Sequence, residues 1–495
     1  MNPLLLVDSY KIHHTSMYPE GMTKLYSNFT PRKSRMKGVD NVVVFGIQHF
    51  ILKYLIKKFN KDFFYTDFEG GRHNYHKERV ISEYKRHCNV DTKHIEALWD
   101  LGFLPIEIKA LEEGTLCPIN VPMLTITNTH PDFGWLVNYL ETLISCMLWQ
   151  PVTSATIAYE YKKILNKYAL ETTGSIKGVQ WQGHDFSMRG MSSVESAILS
   201  GMGHLTSFTG TDTIPAIYQL ESSYKAIGLI GASVPATEHS VMCMGEKESE
   251  VDTFRRLLDL YPTGILSVVS DTWDLWKVCT EYLPQLKEKI LARDGKLVIR
   301  PDSGDPVDII CGKEMENWTD KNGPYEEAGV IQLLWDIFGG TVNEQGYKVL
   351  DSHIGAIYGD SITLDIASEI CERLKAKGFA STNIVLGIGS YTYQYNTRDT
   401  FGFAMKATYG EITSNKMDAR GAVEAREIFK DPITDDGTKR SKKGLLRVVQ
   451  HEKLEVDDQQ TWEQEKTSLL TTVFLDGKLV RETNLDEIRN KLNGK

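Results

Sequence analysis

The chain lacks the features that mark membrane and secreted proteins. Its first apolar stretch reaches Asp8 after only four apolar side chains, too short for a signal-peptide core, and no later stretch approaches a membrane span. The seven cysteines are scattered, without a C-x-x-C pair or regular spacing. An odd, dispersed set of this kind is typical of reduced thiols rather than of a disulfide framework. We therefore expect a soluble, cytoplasmic protein without membrane contacts.

The chain also lacks an excess of basic residues. It has 56 Lys and Arg against 66 Asp and Glu, a formal net charge of -10. This balance argues against a nucleic-acid-binding protein, which would show a basic excess or stripe. An anionic substrate would need a positive site that is built locally. Hydrophobic residues make up 41% of the 495 residues, enough for a full core and for two domains.

Three common motifs are missing. No phosphate-binding G-x-x-x-x-G-K-[ST] sequence is present, and Gly387-Ile388-Gly389 lacks the third glycine of a dinucleotide fingerprint. His73 and His76 have a spacing that suits a metal, but no third ligand is near, so a surface histidine pair is the better interpretation. The sequence thus predicts no metal held by protein ligands alone.

Four apolar runs do stand out, because each ends in a cluster of polar residues or glycines. The runs are residues 265–269, 297–299, 354–358 and 383–386, and they are followed by Ser270-Asp271, Arg300-Pro301-Asp302, Gly359-Asp360 and Gly387 to Ser390. Buried parallel strands have this apolar character, and barrel enzymes carry their reactive groups at the carboxyl ends of such strands. The series predicts a small-molecule site suited to a phosphorylated sugar.

The pattern of predicted strands and helices divides the chain into three parts. From about Lys177 short strand-like runs alternate with helices, which favours an α/β barrel that is closed or nearly closed. We predict an α+β region over 1–176, the barrel over 177–400 and a C-terminal segment over 401–495. Within the outer parts we expect helices near 44–59 and 155–170, a turn-rich β segment over 111–126, and a hairpin about Asp476-Gly477.

The polar clusters suggest specific chemistry. Arg300 offers a planar donor fork, and Asp302, across the rigid Pro301, offers a carboxylate for sugar hydroxyls. Gly387 to Ser390 could wrap a phosphate with backbone N–H groups, with Arg398 supplying charge. The alternative for each cluster is a structural ion pair or an ordinary turn.

Two further segments carry candidate groups. Phe186 and Arg189 would stack a flat heterocycle and hold an anion, although a core Phe and a surface Arg would give the same pattern. Glu238-His239 places a histidine at a strand-to-helix junction, where it could serve proton or phosphoryl chemistry. A structural histidine is the alternative there.

These segments occur in an order that resembles a known family. The motifs are DSYK (8–11), HDFSMRG (184–190), GTDT (210–213), SVPATEHS (233–240), SVVSDTWD (267–274), IRPDSGDP (299–306), YGD (358–360), FKDP (429–432) and KRSKKG (439–444). Together they resemble the nicotinamide phosphoribosyltransferases over nearly the whole chain. SVPATEHS and IRPDSGDP are the specific motifs, whereas GTDT or YGD alone would be weak.

The resemblance implies a fold and a reaction. The fold would be an incomplete TIM-like α/β barrel with an additional α+β domain, in a homodimer whose active sites lie at the subunit interface. The enzyme would make nicotinamide mononucleotide and pyrophosphate from nicotinamide and phosphoribosyl pyrophosphate, in NAD salvage. Mg²⁺ would arrive with phosphoribosyl pyrophosphate. ATP would phosphorylate the histidine at position 239 and couple its hydrolysis to product formation.

The resemblance also implies residue roles. Phe186 would stack on the pyridine ring, with Tyr10 of the other subunit on the opposite face, Asp212 would accept the carboxamide N–H, and Arg300 would donate to its oxygen. Asp302, Gly359 and Asp360 would hold the ribose. Gly389, Ser390 and Arg398 would hold the ribose phosphate, with Lys406 reaching across the dimer. Arg189 and His239 would meet the pyrophosphate. Arg32, Lys430 and Lys442 resemble further phosphate or ATP contacts that the partner subunit supplies. The motifs add Asp271 as a catalytic candidate and Ser233, Ser270 and Asp274 as substrate-binding candidates.

Some positions depart from the family pattern. Met188 stands where an aromatic is usual, and Ile388 and Ser390 interrupt a loop that is usually richer in glycine and serine. Ser390 would then supply its N–H from a conformation that glycine adopts more easily.

Three alternatives stay open. A nicotinate or quinolinate phosphoribosyltransferase is disfavoured by Asp212, because a carboxylate would repel an acid substrate. A catalytically silent binding homologue would have lost its charged groups, which are present here. A phosphosugar lyase would need a Schiff-base lysine at a strand end, and the four clusters contain none.

Overall fold

A computed structural model describes residues 1–65, 71–313, 323–359, 362–414, 421–434 and 441–494. Its strands, in chain order, are β1 (Met22–Thr30), β2 (Asn41–Val43), β3 (Ile106–Ala110), β4 (Leu116–Pro118), β5 (Leu124–Asn128), β6 (Gly183–Asp185), β7 (Gly210–Thr211), β8 (Thr263–Val269), β9 (Asp294–Arg300), β10 (Gly340–Val342), β11 (Lys348–Leu350), β12 (Ile354–Tyr358), β13 (Ile384–Ile388), β14 (Ala404–Thr413), β15 (Val423–Glu427), β16 (Leu445–Gln450), β17 (Leu454–Gln460), β18 (Thr471–Leu475) and β19 (Lys478–Leu479).

The α-helices are α1 (His14–Met17), α2 (Ile47–Phe50), α3 (Asn74–His87), α4 (Lys93–Leu101), α5 (Gly134–Tyr139), α6 (Glu141–Thr173), α7 (Val194–His204), α8 (Ile214–Tyr224), α9 (His239–Met244), α10 (Glu250–Leu260), α11 (Leu275–Lys277), α12 (Leu283–Leu291), α13 (Pro306–Cys311), α14 (Gly323–Phe338), α15 (Leu364–Ala376), α16 (Ser390–Gln394), α17 (Trp462–Glu465) and α18 (Leu485–Leu492). Helix α2 continues in π-helical geometry over Ile51–Lys58 and Asn60–Phe64.

The described chain divides into two compact units. Unit 1 comprises residues 1–156, 219–226 and 396–495, and unit 2 comprises residues 157–218 and 227–395. The division falls inside helices α6 and α8. The domain boundaries predicted at 176 and 400 remain predictions. The two compact units differ from them at three places: residues 157–176 belong to unit 2, and residues 219–226 and 396–400 belong to unit 1.

Unit 2 is built on a parallel sheet. Within the described residues its six strands follow the order β7-β6-β13-β12-β9-β8, and each neighbouring pair is parallel. Strand β12 is buried along its whole length, as expected for a strand covered on both faces. The four apolar runs recognised in the sequence are the adjacent strands β13, β12, β9 and β8. The prediction of a parallel α/β core is confirmed.

A single segment, residues 232–237, connects the two edges of this sheet. At one edge the Thr211 N–H donates to the Ala232 carbonyl at 3.0 Å. At the other edge the Ser267 N–H donates to the Pro235 carbonyl at 2.9 Å, and the Thr237 N–H donates to the Ser267 carbonyl at 3.0 Å. The sheet must therefore curl until its edges face the same short segment. This is the incomplete barrel expected from the resemblance.

Unit 1 contains an antiparallel sheet. Its seven described strands follow the order β15-β14-β1-β5-β3-β18-β19. β1 and β14 form the longest pairing, with Asn28 opposite Lys406 and Thr30 opposite Ala404. The predicted hairpin about Asp476-Gly477 is the β18–β19 pair, in which Leu475 faces Lys478. The sheet places β1 and β14 side by side, so that Asn28 and Lys406, 378 positions apart in sequence, are neighbours.

Two predicted helices are longer or less regular than expected. The helix predicted near 155–170 belongs to α6, which begins at Glu141 and contains Pro151. The helix predicted near 44–59 begins at Ile47 and changes to π geometry. None of the described helices has the length and apolar character needed to cross a membrane.

Candidate active site

The carboxyl ends of the unit 2 strands bring the predicted groups together. Strands β8 and β9 run in register, with Val269 opposite Arg300, so Asp271 and Asp302 follow neighbouring strand ends. Gly359 follows β12, and Gly389 follows β13. Asp360, predicted to hold the ribose, lies outside the described residues. The clustering expected from four separate sequence segments is thus present at one end of the sheet.

Asp212 is held by two neighbouring side chains. His184 Nε2 lies 2.9 Å from Asp212 Oδ1, and the Ser233 hydroxyl donates to the same oxygen. Burial alone would raise the pKa of Asp212. The hydrogen bonds from His184 and Ser233, with the nearby Arg300, outweigh it, so the pKa of this carboxyl is lowered from its usual value. Asp212 is therefore an ionised acceptor whose second oxygen, Oδ2, has no partner among these contacts.

Sequence reasoning assigned no role to His184, although it stands in the HDFSMRG motif. The two-residue spacing between His184 and Phe186 is the sequence feature that indicates a role. In an extended segment, residues 184 and 186 point to the same side. Their rings lie 4.5 Å apart, centroid to centroid.

Arg300 is a cationic group close enough to lower the pKa of this carboxylate. Its Nη2 donates to the Thr237 carbonyl, which belongs to the segment that connects the sheet edges. Burial lowers the pKa of Arg300, against the attraction of Asp302, Asp212 and Asp271. The guanidinium remains charged, because even a lowered arginine pKa lies far above neutrality. Asp212 and Arg300 thus present a hydrogen-bond acceptor and a donor in one neighbourhood.

Asp271 connects the β9 end to His239. Its Oδ2 accepts hydrogen bonds from the Asp302 N–H at 2.8 Å and from the Ser303 hydroxyl at 2.6 Å. Its Oδ1 is buried without a hydrogen-bond partner and lies 3.7 Å from His239 Nε2. His239 is half-exposed and begins α9. This carboxylate is placed to orient the imidazole and to stabilise it when protonated.

Glycines let the backbone come close to the aromatic ring. A Cβ on Gly387 would lie 2.8 Å from the Phe186 ring and 2.7 Å from the Tyr358 carbonyl oxygen. A Cβ on Gly359 would lie 2.6 Å from Asp302 Oδ1. Phe186 is fixed by its N–H, which donates to the Ile388 carbonyl at 3.0 Å. Any larger residue at 359 or 387 would displace these groups.

The backbone conformation at Ser390 differs from the glycine-like conformation expected from the sequence. Ser390 is the first residue of α16 and is not among the residues with positive φ, so it needs no glycine-like conformation. Its side chain has room because residue 190 is glycine, where a Cβ would lie 2.0 Å from Ser390 Oγ. Ile388 is buried in β13, and Met188 is exposed.

Two predicted substrate-binding residues make structural contacts. Ser270 is fully buried, and its hydroxyl donates to the Val268 carbonyl at 2.7 Å. Asp274 caps α11 by accepting from the Lys277 N–H at 3.0 Å. Their predicted role in substrate binding stays a prediction, whereas Ser233 lies at the site through Asp212.

A second set of predicted residues lies in unit 1, around a cavity of about 1130 Å³. We call it the cationic cavity, because its lining includes six basic side chains: Arg32, Lys33, Arg398, Lys406, Lys442 and Lys443. Four of them were predicted as phosphate contacts, and Lys33 and Lys443 were missed. Lys33 directly follows Arg32, and Lys443 directly follows Lys442. This position next to a predicted cation is the sequence feature that indicates them.

Main-chain hydrogen bonds position these cations. The Arg32 and Lys33 N–H groups both donate to the Phe401 carbonyl, at 3.0 and 3.3 Å, which brings them to the Arg398 segment. Lys406 lies on β14 opposite Asn28 of β1. Burial lowers the pKa of Lys406, and Arg32, Lys430 and Arg398 lower it further. Since these like charges repel one another, the arrangement favours a bound polyanion.

Tyr10, another predicted residue, is exposed in unit 1. The neighbouring Lys11 is buried and forms an ion pair with Glu141 at 2.5 Å, and its ammonium lies 5.2 Å from the Tyr10 ring centroid. The ion pair anchors the segment that presents Tyr10.

The described residues contain no group of three His, Cys, Asp or Glu side chains that could hold a metal ion. A Mg²⁺ ion that binds together with a pyrophosphate takes few protein oxygens. Asp271, with its unpartnered buried oxygen, and Asp302 are the carboxylates suited to such an ion.

The two sites suit different parts of the reactants in one reaction. The strand-end groups of unit 2 offer a ring platform, an amide-matching donor and acceptor, and carboxylates for a ribose. The cationic cavity of unit 1 offers a polyphosphate site. An α/β barrel with these groups has the character of a phosphoribosyltransferase.

Comparison with known proteins agrees with this class. The model of the nicotinate phosphoribosyltransferase family matches residues 181–478, and that of the N-terminal domain of nicotinamide phosphoribosyltransferase matches residues 2–66. A nicotinamide phosphoribosyltransferase of Acinetobacter baylyi is 51% identical over 99% of this chain and 97% of its own. That of Xanthomonas campestris pv. campestris is 34% identical over the same shares. The chain therefore belongs to the nicotinate phosphoribosyltransferase family, and its resemblance to the nicotinamide phosphoribosyltransferases is confirmed.

Solved structures show the same fold. The nicotinate-nucleotide pyrophosphorylase of Pyrococcus furiosus superposes with a TM-score of 0.59 over 100% of this chain and 95% of its own, at 14% identity. Human nicotinic acid phosphoribosyltransferase superposes with a TM-score of 0.51 over 98% and 92%, also at 14% identity.

Proposed function

We propose that the protein transfers the phosphoribosyl group of phosphoribosyl pyrophosphate to nicotinamide, giving nicotinamide mononucleotide and pyrophosphate in NAD salvage. The observation that carries this proposal is the pairing of an ionised Asp212, held by His184 and Ser233, with the donor Arg300. A carboxamide offers one N–H donor group and one oxygen acceptor, which match these two side chains. A carboxylate substrate would face repulsion from Asp212.

The pyridine nitrogen is the nucleophile. Its lone pair attacks the anomeric carbon of the ribose, and the bond from that carbon to the pyrophosphate oxygen breaks. Positive charge builds on the ribose and negative charge on the leaving group. Carboxylates such as Asp302 near the sugar, and cations such as Arg189 near the pyrophosphate, would stabilise both charges in place. No general base is needed, because the attacking nitrogen carries no proton.

Phe186 would form the stacking surface for the ring. Gly359, Asp302 and Asp360 would hold the ribose, and Gly389 and Ser390 would meet its phosphate with backbone N–H groups. Mg²⁺ would be held by the pyrophosphate together with the carboxylates of Asp271 and Asp302, and it would neutralise charge on the leaving group.

We propose a homodimer with shared active sites. Tyr10 and the cations of the cationic cavity belong to unit 1, whereas the ring and ribose groups belong to unit 2. In the dimer, Tyr10 of the partner subunit would cover the second face of the ring. The cations Arg398 of the partner subunit and Lys406 of the partner subunit would complete the phosphate site. The cationic cavity supports this, because its positive field suits the phosphates of a substrate whose ring and ribose would be held by unit 2 of the other subunit.

ATP would act as a coupled substrate. His239, half-exposed and 3.7 Å from the buried Asp271 carboxylate, would accept a phosphoryl group from ATP. The bond from the γ-phosphorus to its bridging oxygen breaks, a bond from that phosphorus to a ring nitrogen forms, and ADP leaves. Arg32, Lys430 and Lys442 would contact the ATP phosphates.

We place the protein in the cytoplasm. The five buried cysteines are free thiols, which fits a reducing compartment.

The test is product formation. Purified protein, phosphoribosyl pyrophosphate, Mg²⁺ and nicotinamide should give nicotinamide mononucleotide without ATP, and faster with it. Arg300→Gln, which removes the donor for the carboxamide, should raise the KM for nicotinamide. Absence of product with the wild-type protein would support the silent-homologue alternative instead.

A further inference from the structure

Helix α16 (Ser390–Gln394) is little more than one turn long, and two of its side chains hold it against two different loops. The Thr392 hydroxyl donates to the Ile362 carbonyl at 3.0 Å, in the loop that follows β12. The Gln394 Oε1 accepts from the Ser192 N–H at 2.8 Å, in the segment between β6 and α7. A helix of five residues forms few internal hydrogen bonds, so its position depends on such tertiary contacts.

The side chain between these two, Tyr393, is fully buried and bonds to a buried histidine. Its hydroxyl lies 2.7 Å from Nδ1 of His204 on α7, and neither side chain is more than 1% exposed. Burial lowers the pKa of His204 to about 4, so the ring is neutral at physiological pH. His204 Nε2 lies 2.9 Å from the Gly210 carbonyl oxygen. Because a carbonyl oxygen only accepts hydrogen bonds, Nε2 carries the ring proton, and Nδ1 accepts from the Tyr393 hydroxyl.

This chain of hydrogen bonds joins two parts of the proposed active site. Tyr393 lies three residues after Ser390, which with Gly389 would meet the ribose phosphate; we call Gly389 and Ser390 the phosphate turn. Gly210 lies on β7, two residues before Asp212, and parallel pairing with β6 holds it in the sheet. The chain therefore ties the phosphate turn to the strand that presents the acceptor for the carboxamide.

Packing alone gives no reason for a tyrosine and a histidine at these two positions. Two apolar side chains would fill the same volume without the desolvation of a hydroxyl and an imidazole. A buried hydrogen bond instead fixes the direction and the distance of the two segments that carry it. The arrangement thus favours a role in the geometry of the site over a role in stability alone.

We propose that Tyr393 and His204 are positioning residues, whose hydrogen bond sets the distance between the phosphate turn and Asp212. This rests on the proposed function, because that distance must match a phosphate and a nicotinamide ring that are joined through one ribose. Both residues are too deeply buried to touch a substrate, so they act through the phosphate turn. Loss of the bond should therefore weaken the binding of ligands that carry the ribose phosphate and spare ligands that lack it.

The experiment measures binding of phosphoribosyl pyrophosphate and of inorganic pyrophosphate by calorimetry, both with Mg²⁺. Tyr393→Phe removes the hydroxyl and keeps the ring. His204→Gln keeps a donor for the Gly210 carbonyl and removes the acceptor for Tyr393. Tyr224→Phe is the matched control, since it removes another fully buried hydroxyl, which donates to Glu113 at 2.8 Å in unit 1. Thermal unfolding shows that each variant is folded and compares their stabilities.

Tyr393→Phe and His204→Gln should each weaken the binding of phosphoribosyl pyrophosphate by about 3- to 10-fold, the equivalent of one hydrogen bond. Pyrophosphate binding should not change. The double variant should bind phosphoribosyl pyrophosphate no more weakly than the weaker single variant, because both changes remove the same bond. Tyr224→Phe should lose stability and bind both ligands as the wild-type protein does.

Unchanged binding of phosphoribosyl pyrophosphate in Tyr393→Phe would overturn the proposal, and so would equal weakening of both ligands or additive effects in the double variant. Formation of nicotinamide mononucleotide by the wild-type protein tests the proposed function separately. Binding of phosphoribosyl pyrophosphate without product would contradict the proposed function and leave the role of the two residues in ligand binding intact. Absence of binding by the wild-type protein would overturn both.

Discussion

The carboxylate of Asp212 and the imidazole of His184 form a hydrogen-bonded pair, with Asp212 Oδ1 2.9 Å from His184 Nε2. Ser233 donates to the same oxygen, so both protein contacts fall on one side of the carboxylate. Neither of these contacts falls on Asp212 Oδ2. The pair fixes an acceptor that a carboxamide N–H can reach and that a carboxylate substrate would avoid.

The first prediction concerns base selection. Asp212→Asn should lower the nicotinamide-to-nicotinate ratio of kcat/KM by roughly 10- to 100-fold, because the repulsion of the acid is removed and an N–H acceptor is lost. The ratio is measured by competition between the two bases. Ser233→Ala is the matched control, since it removes one contact of Asp212 but keeps its charge and should change the ratio far less. An unchanged ratio in Asp212→Asn would contradict the role given to this residue.

The second prediction concerns ATP coupling. His239→Ala should retain part of the phosphoribosyl transfer and lose its stimulation by ATP, because no other group is proposed to accept the phosphoryl. The rate is measured with and without ATP, together with ATP hydrolysis. Ser240→Ala, a change in the next residue of α9, should keep the stimulation. Full stimulation in His239→Ala would mean that the phosphoryl group does not pass through this histidine.

The third prediction concerns the shared site. When nicotinamide is kept below its KM, Arg300→Gln in unit 2 and Arg398→Ala in unit 1 should each reduce activity strongly. After the two purified variants exchange subunits, about a quarter of wild-type activity should return, because half of the dimers are mixed and one of their two sites carries neither change. A mixture of either variant with itself is the control. No recovery despite demonstrated exchange would place all the groups of one site in a single subunit.

The fourth prediction concerns Glu250, a buried carboxyl at the start of α10. Burial and the neighbouring Asp274 and Asp271 raise the pKa of Glu250 to about 7, against the opposing attraction of Lys277 and Lys247. The folded state therefore holds this proton more tightly than the unfolded state. Its contribution to stability is present below the unfolded pKa near 4.5 and is lost as the pH rises towards 7.

Glu250→Gln, which stays neutral, should accordingly stabilise the protein at pH 8 by about 1–2 kcal/mol and have little effect at pH 4.5. Denaturant unfolding at both pH values measures the difference. Glu248→Gln, two residues earlier and exposed, is the control. A gain that is the same at both pH values would show that Glu250 does not titrate between them.

The sequence predicted the barrel side of the site because its signals are local. Strands β8, β9, β12 and β13 are short apolar runs with polar ends, and parallel pairing then places those ends together. The turn at Asp476-Gly477 was likewise predictable from its local sequence. In these cases the residues that define the element are also neighbours in sequence.

The rest depends on contacts between distant segments. Arg32 and Lys442 line one cavity although they are 410 positions apart, and no local pattern indicates this. Residues 219–226 belong to unit 1 although they lie within the barrel region, partly because Tyr224 donates to the buried Glu113 at 2.8 Å. The room for the Ser390 side chain depends on Gly190, two hundred residues earlier. Such pairings are set by tertiary packing.

The most direct measurement offers nicotinamide and nicotinate together, at equal concentration, to the wild-type protein with phosphoribosyl pyrophosphate and Mg²⁺, and identifies the mononucleotide formed. We predict nicotinamide mononucleotide as the main product, because Asp212 and Arg300 match a carboxamide. Nicotinate mononucleotide as the main product would contradict this account of the site.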